Sequence, residues 1–209
     1  IAVGSYIAIS SDRRIKNNII DVDDNYALTI LRKTPVRYYE YIDKISRGNH
    51  KSIGFIAQEV HEYLPEAVSL IKDYIPNVYK NLENCSWEQF ECIKKDSSSN
   101  IIKYKMKTNE LQDVSGVKYK FYMSNDPSGN DEIMKEVVGN EDDTFTFDTS
   151  YNNVFCHGKE VDDFHKLDKN KVFTIGFSAT QEIDRIQQAE KIKLTAAEAK
   201  IVELENKIK

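Results

Sequence analysis

The chain has 209 residues, 40% hydrophobic and 30% charged, enough apolar material for one sizeable core or two small ones. Its net charge of −5 comes from interspersed acids and bases without a basic stripe, which leaves nucleic-acid binding no electrostatic footing. No run of about 18 apolar residues occurs, so no membrane span is expected, and three cysteines are too few for a disulfide framework.

The first residue is Ile, and residues 1–10 lack the charged start of a signal peptide. They are expected to be the end of an upstream passenger, and residues 1–9 alternate like a strand. Residues 11–18 are polar and turn-like. Asp24-Asn25-Tyr26 can cap a helix whose apolar face is Ala27, Leu28, Ile30 and Leu31. That helix must end near Thr34, because Pro35 disfavours helix in the residue before it. Residues 36–41 alternate and are aromatic, which predicts a strand. Residues 44–52, with Gly48, read as a loop. A short strand over 53–56 precedes a helix over 57–63, stopped before Pro65, and residues 67–70 read as further sheet.

From about 71 to 157 the chain turns rich in Asn, Asp, Lys, Ser and Tyr. Alternating segments at 101–107, 117–123, 133–138, 144–148 and 154–157 are separated by polar turns at 125–130 and 139–143. Short strands at regular spacing predict a small antiparallel barrel or sandwich. Beyond 161–167, Asp168 can cap a long helix, with Val172, Ile175, Ala179, Ile183 and Ile186 at helical spacing. The seam Ile183, Ile186, Glu190, Leu194, Ala197, Ile201, Leu204, Ile208 steps by 3, 4, 4, 3, 4, 3, 4, a heptad pattern with one stutter. A packed helical hairpin also produces such a seam, but Glu190 and the surrounding charges suit an exposed homomeric coiled coil better.

Ser11-Asp12-Arg13-Arg14-Ile15-Lys16 carries the chemistry. A serine hydroxyl is a weak nucleophile until a base takes its proton. Lysine is such a base only when neutral, and its free pKa is about 10.4. Burial and neighbouring cations favour the neutral amine; Arg13 and Arg14 are candidate cations, and assembly of several chains is a candidate source of burial. Taken alone, a serine five residues from a lysine occurs by chance in almost any chain, and Ser11-Asp12 then reads simply as a turn with Asn17 and Asn18.

Three blocks together decide between these readings: S-D-R-R-I-K-N-N-I from Ser11, L-R-K-T-P-V-R-Y-Y-E-Y at 31–41 and I-G-F-I-A-Q-E-V-H-E-Y-L-P-E-A-V at 53–68. In order and spacing they resemble the intramolecular chaperone domain of phage endosialidases, tail spikes and tail fibres, the S74 peptidases, which is also similar to a domain of myelin regulatory factors. The resemblance implies a C-terminal module that forms a homotrimer with its upstream passenger and then cuts itself off. It implies Ser11 as nucleophile, Lys16 as base and the Ser10–Ser11 bond as the cleavage site. Asp12, Arg14, Gln58 and Glu59 are supporting candidates, with the amides around Asp12–Arg14 or the Gln58 side chain as oxyanion donors. Typical members have only a short connection where this chain has 72–157.

The expected organisation is therefore α+β: passenger end at 1–10, a small mixed chaperone core at 11–71 and 158–182, an inserted antiparallel β domain at 72–157, and a trimeric coiled coil at 183–209. No cofactor, metal, nucleic acid or membrane is expected. The alternative is a non-cleaving trimerisation tip of a viral fibre whose β insertion binds a receptor or glycan; the presence of residues 1–10 favours it. The Asn/Lys/Tyr-rich composition points to large DNA viruses, and so to virions or the host cytoplasm during assembly. Other constellations are weaker. Asp21 to Asn25 opens like a calcium loop but has Tyr26 and Arg32 where Gly and Glu are needed. His61-Glu62 lacks the second His of a zinc protease. Asp162, Asp163 and His165 read as a loop entering the helix. Asn84-Cys85-Ser86 is a glycosylation acceptor only in a secreted chain, and Cys85, Cys92 and Cys156 are expected as reduced thiols.

Overall fold

A computed structural model describes residues 11–93 and 100–208. The strand expected over 1–9 and the residue Ser10 lie outside that set. The chain divides into two compact units, residues 1–34 with 169–209, and residues 35–168.

In the first unit a 3-10 turn, Arg13–Ile15, is followed by helix α1, Asp24–Lys33. The α1 cap is Asp23, one residue earlier than expected: its carboxylate accepts from the Asn25 and Tyr26 amides, while Asp21 and Val22 are exposed before the helix and Asp24 is its first residue. The helix stops at Lys33, with Thr34 as C-cap. Ala27 and Leu28 pack against Ala179 and Ile175 of the 40-residue C-terminal helix Lys169–Ile208, which we number α4. Beside this seam Asp24 accepts from Ser178 and pairs with Arg185, which also pairs with the buried Glu182 at 2.9 Å. Beyond Glu182 every described residue of α4 except Ile183 and Ile186 is well exposed, and those two stand at 37%.

The second unit begins with strand β1, Arg37–Tyr39, paired antiparallel to β2, Ser52–Gly54. Between them residues 44–47 form helix α2, Lys44–Arg47, where a loop was expected. The signal was Asp43, whose carboxylate accepts from the Ser46 amide as an N-cap, with Gly48 at φ 82 closing the turn. Helix α3, Ala57–His61, then buries Val60, and Leu64 just beyond it is buried as well.

The remaining strands are β3 Val68–Tyr74, β4 Lys80–Asn81, β5 Cys85–Ile93, β6 Asn100–Thr108, β7 Lys118–Ser124, β8 Ile133–Val138, β9 Thr144–Phe147 and β10 Asn153–Leu167. They form two antiparallel sheets, β3-β10-β7-β8 with β4 also on β10, and β5-β6-β9, giving a half-barrel. One core serves both: Tyr119, Phe121 and Met123 alternate inward from β7, and meet Met106, Phe145, Phe147, Val154 and Cys156. Phe121 lies edge-on to Phe145 at 4.9 Å. Strand β5 was not anticipated, because Gln89 and Glu91 interrupt the apolar alternation on one of its faces.

Asp162, Asp163 and His165 are also placed differently from expectation. They lie within β10, not in a loop, and the register against β3 slips between Val161 and Phe164. The two aspartates form a β-bulge, where backbone demand rather than apolar patterning sets the residue type. Cys85 and Cys156 are free thiols; burial pushes them up to about 11 and about 12, so both stay protonated at neutral pH.

Candidate active site

The 3-10 turn Arg13–Ile15 folds the chain back so that residues five apart meet. Lys16 donates from its backbone to the Arg13 carbonyl at 3.1 Å, and Ile15 to that of Asp12 at 3.2 Å. The Lys16 Nζ then reaches the Ser11 Oγ at 2.6 Å, with both residues exposed. As an ammonium Lys16 donates this bond; a neutral amine at the same distance would instead accept the serine proton.

Asp12 organises the turn. Its Oδ1 accepts from the Arg14 amide at 2.8 Å, and its carboxylate takes a two-pronged bond from the Arg14 guanidinium, Nε to Oδ1 at 3.0 Å and Nη2 to Oδ2 at 2.7 Å. Arg14 therefore carries a paired charge, which weakens its role as a cation acting on Lys16. The side-chain and backbone bonds from Arg14 hold the Asp12 carboxyl below its ordinary value. The Arg14 amide is likewise committed to Asp12 and does not face outward as an oxyanion donor.

Gln58 and Glu59 lie on the first turn of α3, in the second unit. Gln58 is exposed. Glu59 accepts a fork from Arg37, at 2.8 Å from Nη2 and 3.1 Å from Nε, which ties α3 to β1 and raises the Arg37 pKa. The partner of Glu59 is thus a basic residue of the preceding block. Sequence reasoning missed Arg37, although a cation and an anion in adjacent blocks were visible.

A contact between Tyr79 and Asp43 was also missed. The Tyr79 hydroxyl donates to Asp43 at 2.5 Å, and this bond, with the Ser46 amide, holds the carboxyl down at about 2. Tyr79 belongs to the stretch between β3 and β4, so the bond links the inserted strands to α2. Asp162 and Asp163 line a cleft of about 450 Å³ with Lys72, Lys118, Lys159 and Glu160. Glu160 pairs there with Lys72 at 3.4 Å and Lys118 at 3.5 Å. Among the described residues no group of three or more His, Cys, Asp or Glu side chains is placed to hold a metal, and no helix is long and apolar enough to cross a membrane.

Residues 11–69 match the peptidase S74 family, described as the chaperone of endosialidase. That segment is an S74 chaperone domain, and it contains the Ser11–Lys16 contact, Gln58 and Glu59. The chain is also 30% identical, over 240 aligned positions, to the uncharacterized protein VP1 of Micromonas pusilla reovirus (isolate Netherlands/2005). The alignment takes in 96% of this chain and 12% of VP1, so the chain spans a small part of that relative's length. The relative comes from a reovirus, where the composition had pointed to large DNA viruses.

Proposed function

We propose that this chain is a self-cleaving intramolecular chaperone that trimerises an upstream viral passenger and releases itself at the Ser10–Ser11 bond. The observation that carries the reading is the 2.6 Å contact of Lys16 Nζ with Ser11 Oγ inside the segment that matches the S74 family. Lys16, once neutral, takes the proton of the Ser11 hydroxyl as the oxygen attacks the carbonyl carbon of Ser10. The carbon–nitrogen bond breaks, and the proton passes to the departing Ser11 nitrogen. The ester joining Ser10 to the Ser11 oxygen is then hydrolysed by water, leaving a carboxylate at Ser10 and a free amine and hydroxyl at Ser11.

Exposure gives the reaction its timing. Ser11 and Lys16 are both open to water in the single chain. Packing of neighbouring chains around the pair would strip water from the ammonium and favour the amine. The C-terminal part of α4 supplies the means of assembly, since Leu194, Ile201 and Leu204 on its seam are 61%, 55% and 48% exposed among the described residues. A trimer would also raise the local concentration of the three passenger segments. Such proteins would work within virions or in the host cytoplasm during assembly.

The double variant Leu194→Asp/Ile201→Asp tests the timing. Sedimentation should show a trimer for the parent and a monomer for the variant, and the monomer should remain uncut. A monomer that cuts at the parent's rate contradicts the proposal.

A further inference from the structure

We propose that Asp12 is the positioning residue of the Ser11–Lys16 pair, holding the lysine on the serine through the turn it caps and the guanidinium it grips. This rests on the reading of Ser11 and Lys16 as nucleophile and base, and assigns what sets their geometry.

Lysine has a flexible four-carbon stem, so an exposed lysine keeps a fixed contact only if its backbone is placed first. Here that placement depends on three residues between Ser11 and Lys16. The Asp12 carboxylate does two jobs in the turn: it accepts the Arg14 amide at 2.8 Å, and it receives the Arg14 guanidinium at 3.0 and 2.7 Å. The fork fixes the Arg14 side chain on one side of the turn, and the backbone bonds Ile15 to Asp12 and Lys16 to Arg13 close the ring. The Lys16 Cα is thereby set at a distance from which Nζ reaches Ser11 Oγ. No other side chain bonds both within this turn among the described residues. Reacting groups displaced by about 1 Å can lose about a hundredfold in rate, so a small rearrangement here has a large effect on cutting.

A competing account gives Asp12 a purely electrostatic part. Its charge pairs the Arg14 cation, so removing it would free a positive charge near Lys16, favour the neutral amine and speed cutting near neutral pH. The two accounts predict opposite results.

The test follows self-cleavage of the full chain with its upstream residues across pH, for the parent, Asp12→Asn and Asp12→Ala. Asn keeps an oxygen for the Arg14 amide and loses the charged fork. Positioning predicts about tenfold slower cutting for Asp12→Asn and about a hundredfold slower for Asp12→Ala, with the shape of the pH profile unchanged. Parent-like cutting in Asp12→Ala, or a profile displaced to lower pH with faster cutting at neutrality, overturns it. A second readout does not need cleavage: the NMR cross-peak between the Lys16 Hε and Ser11 Hβ protons, measured in each chain carrying Ser11. If the parent is not cut, the self-cleavage reading fails, and the cross-peak still decides the positioning. Its loss in Asp12→Ala sustains the inference, and an unchanged cross-peak overturns it.

Discussion

Tyr79 and Asp43 show how one side-chain bond carries a pH dependence. The Asp43 carboxyl is held at about 2 by the Tyr79 hydroxyl and the Ser46 amide. An unfolded aspartate titrates near 3.9. Because the folded value is the lower one, the unfolded chain binds the proton first as pH falls. The stabilisation is therefore full above about pH 4 and is lost as pH falls through about 2. Tyr79→Phe removes the strongest of these bonds and should lower stability by about 1–2 kcal/mol at pH 7. Urea unfolding at about pH 6 and about pH 2.5 checks this. The gap between parent and variant should narrow at the lower pH, whereas an equal gap at both would mean that the Tyr79 hydroxyl contributes independently of the Asp43 charge, since phenylalanine keeps the ring on Phe155.

At the scale of elements, two glycines in the second unit separate backbone strain from steric conflict. Gly158 stands at φ 151, where the register of β10 against β7 slips, and a Cβ there would lie 2.0 Å from the Ile75 carbonyl oxygen. Gly116 stands at φ 72 with open space around it. Gly116→Ala should cost only the strain of its dihedral, about 1 kcal/mol, and Gly158→Ala about 3 kcal/mol, since backbone must move to admit the methyl. Chemical unfolding of both variants decides; equal losses would mean that the approach of β10 to Ile75 is not tight in solution. The same elements mark what the sequence could reveal. The strands over 101–107, 117–123, 133–138 and 144–148 were legible because apolar and polar residues alternate, and α1 and α4 because of their caps and spacing. Strand β5 was hidden by Gln89 and Glu91, and α2 by its brevity, which leaves the Asp43 cap and the closing Gly48 as its local signals. The turn linking Ser11 to Lys16 was visible in the motif, and the resemblance offered Asp12 and Arg14 as supporting residues; the grip of one on the other was not legible, because only geometry shows which side chains bond. Arg37 and Glu59 were likewise separated by 22 positions, beyond any local pattern.

For the whole molecule, the S74 segment at 11–69 supplies residues to both compact units, with the Ser11–Lys16 contact in one and Gln58 and Glu59 in the other. The mixed α+β class, the antiparallel sheets and the long C-terminal helix agree with the sequence reading. The half-barrel folds within the same unit as α2 and α3, and the Tyr79–Asp43 bond joins the two parts. The proposed account makes the chain a module that assembles through α4, desolvates Lys16 and cuts once. Intact mass of freshly expressed protein carrying a few tens of residues before residue 1, beside Ser11→Ala and Lys16→Ala, tests that claim most directly. The account predicts that the parent loses everything before Ser11 while both variants keep their full mass. A parent that stays whole although trimeric, or a Ser11→Ala chain cut at the same bond, would contradict it.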